Sequence, residues 1–170
     1  MNLKKNLVLL GMMASGKSTI GALLSKKLGL KFYDIDKMIE EEMHMTIAEI
    51  FDQKSEKNFR SLEEKIVLKT LQNKNSIVSL GGGTFLNEKI RKEIIMNHIS
   101  FWLNCSNKTL LNRIRKNKKR PIANKLNNSK LIELINKRRK NYTKAKFKIN
   151  CDQLSKEQIV ENILKSYETI

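Results

Sequence analysis

The chain has 170 residues, with 34 Lys and Arg against 17 Asp and Glu, which gives a formal net charge of +17. A hydrophobic content of 40% is enough for a core, and two cysteines far apart in sequence exclude a disulfide framework or a cysteine-rich zinc site. No apolar run approaches the ~20 residues of a membrane span, and Asn6 to Leu10 is too short for a signal-peptide core. We therefore expect one cytoplasmic domain, residues 1–170, with no membrane partner.

The positive charge is concentrated in one region. Residues 108–148 hold 11 Lys and 5 Arg against Glu133, a net +15, so the rest of the chain carries only +2. Such a region is typical of proteins that bind nucleic acid, an anionic membrane or a polyanionic substrate, although compositional drift toward lysine also produces it. Binding to single-stranded nucleic acid would need aromatic stacking residues. The region has only Tyr142 and Phe147, so we expect no nucleic-acid partner.

Short apolar runs alternate with amphipathic stretches along the chain. Strands are predicted at residues 7–10, 31–33, 76–80, 99–103 and 147–150. Helices are predicted at residues 18–28, 55–71, 104–116 and 129–144. Two more helices are predicted to begin at a capping box at residues 46–49 and at a cap at residues 155–158. A loop is predicted at residues 117–128. Because the strands are continuously apolar, we expect an α/β fold with a five-stranded parallel sheet sandwiched between helices. Ligands of such sheets bind beyond the carboxyl ends of the strands.

The first predicted strand runs into a phosphate-binding motif. Gly11 to Ser18 matches G-x-x-x-x-G-K-[ST], and a predicted helix follows. The backbone N–H groups of such a loop and the helix N-terminus bind a polyphosphate. We predict that Lys17 pairs with the β- and γ-phosphate oxygens and that Ser18 ligates Mg²⁺.

Charged residues follow the second strand and begin the next long helix. Asp34 and Asp36 lie two residues apart, and on an extended segment their side chains would share one face. Such a pair can hold Mg²⁺ through water and orient a substrate hydroxyl, or it can be a solvated strand end or helix cap. Arg60 either contacts a substrate or forms a surface ion pair with Glu63 or Glu64.

Two further segments suit an anionic ligand. Gly81 to Gly83 follow a strand and permit close approach of a ligand, the alternative being an ordinary turn. Pro121 disfavours helix at Arg120, so this arginine is predicted in a loop that closes over ATP, the alternative being a solvated charge run. Cys105 and Cys151 have no local thiol or basic partner and are expected to be small apolar residues.

From Leu7 to about Leu164 the chain resembles the shikimate kinases, which are small P-loop kinases of aromatic amino-acid biosynthesis. The matching motifs are Gly-x-Met-x-Ser-Gly-Lys-Ser-Thr from Gly11, Asp34-x-Asp36, Phe59-Arg60-x-x-Glu63, Gly81-Gly82-Gly83, Lys119-Arg120-Pro121, and Arg138 four residues before Tyr142. The resemblance implies a P-loop NTPase fold like that of nucleoside monophosphate kinases, with a lid at about residues 112–128 and a substrate-binding segment at about residues 35–62. It also implies a monomer that uses ATP and Mg²⁺ to phosphorylate the 3-hydroxyl of shikimate.

The resemblance assigns roles to individual residues. The catalytic residues it implies are Lys17, Asp36 and Arg120. The ATP-binding residues it implies are Ala14, Ser15, Gly16, Lys17, Ser18, Thr19, Arg113, Arg120 and Gln153. The shikimate-binding residues it implies are Asp36, Arg60, Gly81, Gly82, Gly83 and Arg138. The metal site it implies consists of Ser18 and, through water, Asp34.

Some positions depart from the family pattern. Ala14 replaces the usual glycine, and the proline and leucine usual before Tyr142 are absent. Because Arg139 adjoins Arg138, the assignment of the carboxylate ligand to Arg138 depends on its spacing from Tyr142. Within the same class the alternative is another small-molecule kinase, such as a gluconate kinase, and a remote alternative is a nucleic-acid-binding P-loop protein.

Overall fold

The predicted strands form one parallel sheet in a computed structural model that describes residues 5–116 and 126–169. The strands are β1 (Leu7–Leu10), β2 (Lys31–Asp34), β3 (Ser76–Ser79), β4 (Ile99–Asn104) and β5 (Phe147–Asn150). Their order across the sheet is β2-β3-β1-β4-β5, and each neighbouring pair is parallel. All four residues of β1 are fully buried, so the central strand is covered on both faces, as the continuous apolar runs predicted.

Helices connect these strands. In the described part of the chain they are α1 (Lys17–Leu28), α2 (Ile35–Met43), α3 (Ile47–Gln53), α4 (Glu56–Leu71), α5 (Glu88–Asn97), α6 (Asn107–Lys116), α7 (Asn128–Tyr142) and α8 (Lys156–Glu168). Reciprocal capping boxes form at the predicted starts of α3 and α8, and each cap is worth about 1 kcal/mol. Across residues 5–116 and 126–169, none of the helices has the length and apolar character needed to span a bilayer.

Some predicted boundaries are wrong, and two helices, α2 and α5, were not predicted. The helix predicted from Asn104 begins at Asn107, because β4 continues to Asn104 and pairs there with Asn150 of β5. The predicted loop ends earlier than expected, since α7 already begins at Asn128. Helix α5 buries only Ile90 and Ile94, and this short apolar face is too weak a signal to find by pattern. Arg120 and Pro121 lie outside the described residues.

The parallel topology brings the candidate residues to one edge of the sheet. The phosphate-binding motif follows β1, Asp34 ends β2, and Gly81 to Gly83 follow β3. Cys105 follows β4 and Gln153 lies in the loop after β5. Because the carboxyl ends of parallel strands meet at the same edge, residues distant in sequence become neighbours there.

Candidate active site

The loop between β1 and α1 has the backbone shape of a phosphate-binding loop. Gly11, Ala14 and Gly16 have φ values of 145°, 64° and 100°, which L side chains rarely adopt. Ala14 therefore occupies a left-handed conformation that costs about 1 kcal/mol for a residue with a Cβ atom. Lys17, the first residue of α1, is buried, and its Nζ donates to the carbonyl oxygens of Gly11 at 2.9 Å and Met12 at 3.1 Å. These bonds hold the ammonium group against the loop.

Polar side chains at the start of α1 are available to a ligand. Ser18 and Thr19 are exposed in the first turn of the helix. The Ser15 hydroxyl, by contrast, is buried and makes no hydrogen bond to any residue in 5–116 or 126–169. The helix N-terminus also carries the partial positive charge that favours a bound anion.

The expected extended arrangement of Asp34 and Asp36 is wrong. Strand β2 ends at Asp34 and α2 begins directly at Ile35, so Asp36 lies in the first helical turn rather than on the strand. Asp34 occupies the N-cap position without a side-chain capping bond. Its Oδ2 atom is buried and has no hydrogen-bond partner among the described residues. A buried carboxylate oxygen of this kind is a fitting acceptor for a water held by a metal ion.

Three charged side chains converge on the triple-glycine turn. A Cβ atom placed on Gly81 would lie 2.6 Å from Oδ1 of Asp36, and one placed on Gly83 would lie 2.8 Å from Nη2 of Arg60. A Cβ atom on Gly82 would lie 3.1 Å from Nη1 of Arg138 and 3.3 Å from the backbone nitrogen of Met13 in the phosphate-binding loop. Because the glycines have no Cβ atoms, charged side chains can approach the turn closely, which an ordinary turn does not require.

Arg60 is held mainly by a buried carboxylate, beside a longer ion pair with the exposed Glu56. Its Nη1 lies 2.7 Å from Oε2 of Glu63, whose side chain is only 3% exposed. The other carboxylate oxygen of Glu63 accepts a 2.6 Å hydrogen bond from Thr84 Oγ1. The guanidinium carbon lies 5.9 Å and 5.1 Å from the ring centroids of Phe51 and Phe59. Two aromatic faces and one fixed carboxylate thus orient the guanidinium of Arg60 toward the glycine turn.

The structure separates the two adjacent arginines of α7. Nη1 of Arg138 lies 3.7 Å from Sδ of Met12, and its buried Nε has no hydrogen-bond partner among the described residues. Burial lowers the pKa of Arg138, and the nearby charge of Arg60 lowers it further. Arg139 points elsewhere, since its Nη2 donates to the Cys105 carbonyl at 2.7 Å. Arg138 is therefore the arginine whose charge is best satisfied by an added anion.

Tyr142 contacts the same glycine turn through its hydroxyl group. Its hydroxyl donates to the carbonyl oxygen of Gly82, and its fully buried ring lies 6.0 Å from that of Trp102. Burial raises the pKa of Tyr142 to about 12, so the hydroxyl stays protonated and can donate at neutral pH.

Three residues that support the site have no function predicted from the sequence. Glu63 and Tyr142 appeared only as parts of motifs, and their positions three and four residues from the arginines were the available signal. Nothing in the sequence pattern singled out Thr84, whose bond to Glu63 joins segments 21 residues apart.

The residues predicted to contact the nucleotide base are more dispersed. Nη1 of Arg113 lies 3.3 Å from the carbonyl oxygen of Ala14, so this exposed arginine borders the phosphate-binding loop. Gln153 is exposed and has a left-handed φ of 64° in the loop after β5. The neighbouring Asp152 fixes that loop, because it accepts bonds from the Ser106 backbone nitrogen at 2.8 Å and from the Thr109 hydroxyl at 2.5 Å.

Removing Glu63 tests whether a buried carboxylate partner of Arg60 contributes more to stability than an exposed one. We expect Glu63→Ala to lower the free energy of unfolding by about 2 kcal/mol, since it removes the acceptor of Thr84 Oγ1 and of Nη1 of Arg60. The matched control is Glu56→Ala, which removes an exposed carboxylate 3.4 Å from the same guanidinium and is expected to cost about 0.5 kcal/mol or less. Urea unfolding of both variants measures the difference. Equal losses would contradict a special role for Glu63.

Comparison with known proteins identifies the family. The shikimate kinase family model matches residues 13–168. A shikimate kinase from Sulfurihydrogenibium sp. is 41% identical over 160 residues, which cover 94% of this chain and 96% of that protein. The crystal structure of shikimate kinase from Aquifex aeolicus is 30% identical, covers 96% of each chain and has a TM-score of 0.84. Shikimate kinase from Acinetobacter baumannii in complex with shikimate is 27% identical, with coverages of 97% and 93% and a TM-score of 0.91. The chain belongs to the shikimate kinase family.

Proposed function

We propose that this protein transfers the γ-phosphate of ATP to the 3-hydroxyl of shikimate and releases shikimate 3-phosphate and ADP. The observation that carries the proposal is the convergence of Asp36, Arg60 and Arg138 on the Gly81–Gly83 turn, directly beside the phosphate-binding loop. Shikimate carries a carboxylate and several hydroxyls. Its recognition needs planar cationic groups, a carboxylate acceptor and backbone that can approach closely.

The acceptor substrate is bound between the two arginines and Asp36. Arg60 and Arg138 donate to the shikimate carboxylate, which compensates the buried charge of Arg138. Asp36 accepts a hydrogen bond from the reacting hydroxyl and takes its proton as the phosphoryl group is transferred. The backbone of Gly81 to Gly83 comes close to the ring of shikimate because no Cβ atom intervenes.

The donor phosphates lie along the loop between β1 and α1. Backbone N–H groups of Ala14 to Thr19 and the Lys17 ammonium bind the phosphates, and Arg113 and Gln153 contact the adenine. Arg120, in the segment outside the described residues, closes over the phosphates as part of the lid. Catalysis then comes mainly from alignment of the two substrates and neutralisation of negative charge.

The residues present fit a Mg²⁺ ion, which we propose binds together with ATP. Ser18 offers an exposed hydroxyl, and Asp34 offers a buried carboxylate oxygen without a partner in the described chain. Within residues 5–116 and 126–169 no group of three or more His, Cys, Asp or Glu side chains could hold a metal by itself. That agrees with an ion held by few protein ligands together with substrate phosphates. When bound, it offsets phosphate charge.

We propose a cytoplasmic monomer of one domain, with a substrate-binding segment at residues 35–62 and a lid at residues 112–128. Its substrates are two anions, so the +15 charge of residues 108–148 needs neither a nucleic acid nor a membrane as partner.

Substrate choice is tested with two hydroxy acids in parallel. ADP release is followed by a coupled assay with ATP and Mg²⁺ plus either shikimate or gluconate, because both acceptors offer a carboxylate and hydroxyls. We expect release with shikimate and only the background rate with gluconate. A faster reaction with gluconate would replace the proposed acceptor while leaving the kinase class intact.

A further inference from the structure

Two cysteines that are 46 residues apart in sequence meet behind the phosphate-binding loop. Cys105 follows β4 and Cys151 follows β5, and the register pairs Asn104 with Asn150 immediately before them. The backbone nitrogen of Cys151 donates to the Asn104 carbonyl at 2.8 Å, which places the cysteines opposite each other. Both are free thiols and at most 2% exposed. Both are buried as expected for small apolar residues, but the strand register, which local sequence does not show, brings the two thiols together.

The two thiols are chemically unequal. A hydrogen bond between them lowers the pKa of Cys105 and raises the pKa of Cys151. Nη1 of Arg113 lies 3.8 Å from Sγ of Cys105, so a guanidinium charge also favours the thiolate on this sulfur. Sγ of Cys151 instead lies 3.3 Å from the carbonyl oxygen of Ile149. Cys105 is the better nucleophile and Cys151 the resolving thiol.

We propose that Cys105 and Cys151 form a dithiol site that a small hydroperoxide converts into an intrachain disulfide. Neighbouring strands are about 4.8 Å apart, and disulfides join Cα atoms that are about 4.4–6.8 Å apart. The Cys105 thiolate attacks the peroxide O–O bond and becomes a sulfenic acid as hydroxide leaves. Cys151 sulfur then displaces the sulfenic oxygen, so two thiols and one hydrogen peroxide give one disulfide and two water molecules.

The site adjoins the nucleotide-binding loop. Sγ of Cys105 lies 3.9 Å from the Ser15 carbonyl, and Arg113 contacts both Cys105 and the Ala14 carbonyl. A disulfide draws the Cys105 sulfur toward Cys151 and away from these contacts. Oxidation and nucleotide binding are therefore coupled, and each disfavours the other by the same factor. This coupling rests on the proposed ATP site, whereas disulfide formation does not.

Mass spectrometry of the full chain tests the site itself. Reduced protein is treated with hydrogen peroxide, quenched in denaturant and alkylated. We expect a monomer lighter by two hydrogen atoms, with no free thiol and with a peptide pair linking positions 105 and 151. The Cys151→Ser variant is expected to stop at a sulfenic acid on Cys105. Two alkylated thiols, a sulfinic acid on either cysteine, or a disulfide between two chains would overturn the proposal.

Nucleotide titration and thiol modification test the coupling and the burial. The Kd for ATP with Mg²⁺ is expected to be about 5-fold or more higher for the disulfide form than for the reduced protein. Oxidised glutathione, a bulky disulfide, is expected to give no mixed disulfide because both thiols are buried. Equal Kd values for ATP in the two forms overturn the coupling, and rapid glutathionylation overturns the buried dithiol site. Neither result depends on phosphorylation of shikimate.

Discussion

Replacing Asp36 by Asn is expected to lower kcat by about 100-fold or more while ATP binding stays near normal. Asn keeps the size and a hydrogen-bonding oxygen of the side chain but cannot accept the proton of the reacting hydroxyl. The effect should appear in turnover because Asp36 lies at the glycine turn and not in the phosphate-binding loop. Steady-state ADP release gives kcat, and nucleotide titration gives the Kd for ATP.

The matched control for this variant lies on the same helix. Glu41 is an exposed carboxylate of α2, so Glu41→Gln makes the same chemical change away from the glycine turn. We expect its kcat to equal that of the unmodified protein. Turnover of Asp36→Asn at the level of this control would refute the role of Asp36 as the proton acceptor.

Replacing Arg138 by Ala is expected to raise the KM for shikimate by about 100-fold and to leave the KM for ATP within a small factor. The guanidinium is half-buried and close to the Gly82 backbone, and loss of a charge-assisted, partly desolvated contact costs several kcal/mol at most sites of this kind. Initial rates over a range of shikimate concentrations, at saturating ATP, measure the change.

Arg139→Ala is the control for Arg138→Ala, because it removes the same charge one position along α7. Arg139 donates to the Cys105 carbonyl rather than to the glycine turn. We expect a change of less than about 5-fold in the shikimate KM, comparable to loss of an ordinary hydrogen bond. If Arg139→Ala raises this KM and Arg138→Ala does not, the substrate carboxylate binds to Arg139.

Much of the fold is predictable because its signals are local. Strands β1, β3 and β4 are almost entirely buried runs of four to six residues, and all five strands lie within one residue of their predicted ranges. The phosphate-binding loop is similarly encoded in eight consecutive residues. Predictions from such signals are correct because local sequence preference and the final fold agree at these positions. The placement of Asp36 failed for the opposite reason, since β2 passes directly into α2 without a turn residue to mark the change.

The supporting contacts of the site depend on tertiary structure. An arginine and a glutamate three residues apart predict an exposed pair, and only packing against Thr84 turns Glu63 into a buried acceptor. The cysteine pair is hidden for the same reason, because strand register rather than sequence spacing makes Cys105 and Cys151 neighbours. Sequence patterns thus predict which residues act on the ligands but give little indication of which contacts hold those residues in place.

The most direct test of the proposed activity is a balance of products. Purified protein is incubated with ATP, Mg²⁺ and a limiting amount of shikimate, and both ADP and phosphorylated shikimate are quantified. The proposed reaction predicts one ADP for each shikimate 3-phosphate formed and negligible ADP without shikimate. ADP release at the same rate with and without shikimate, or ADP without a phosphorylated acid, would contradict it.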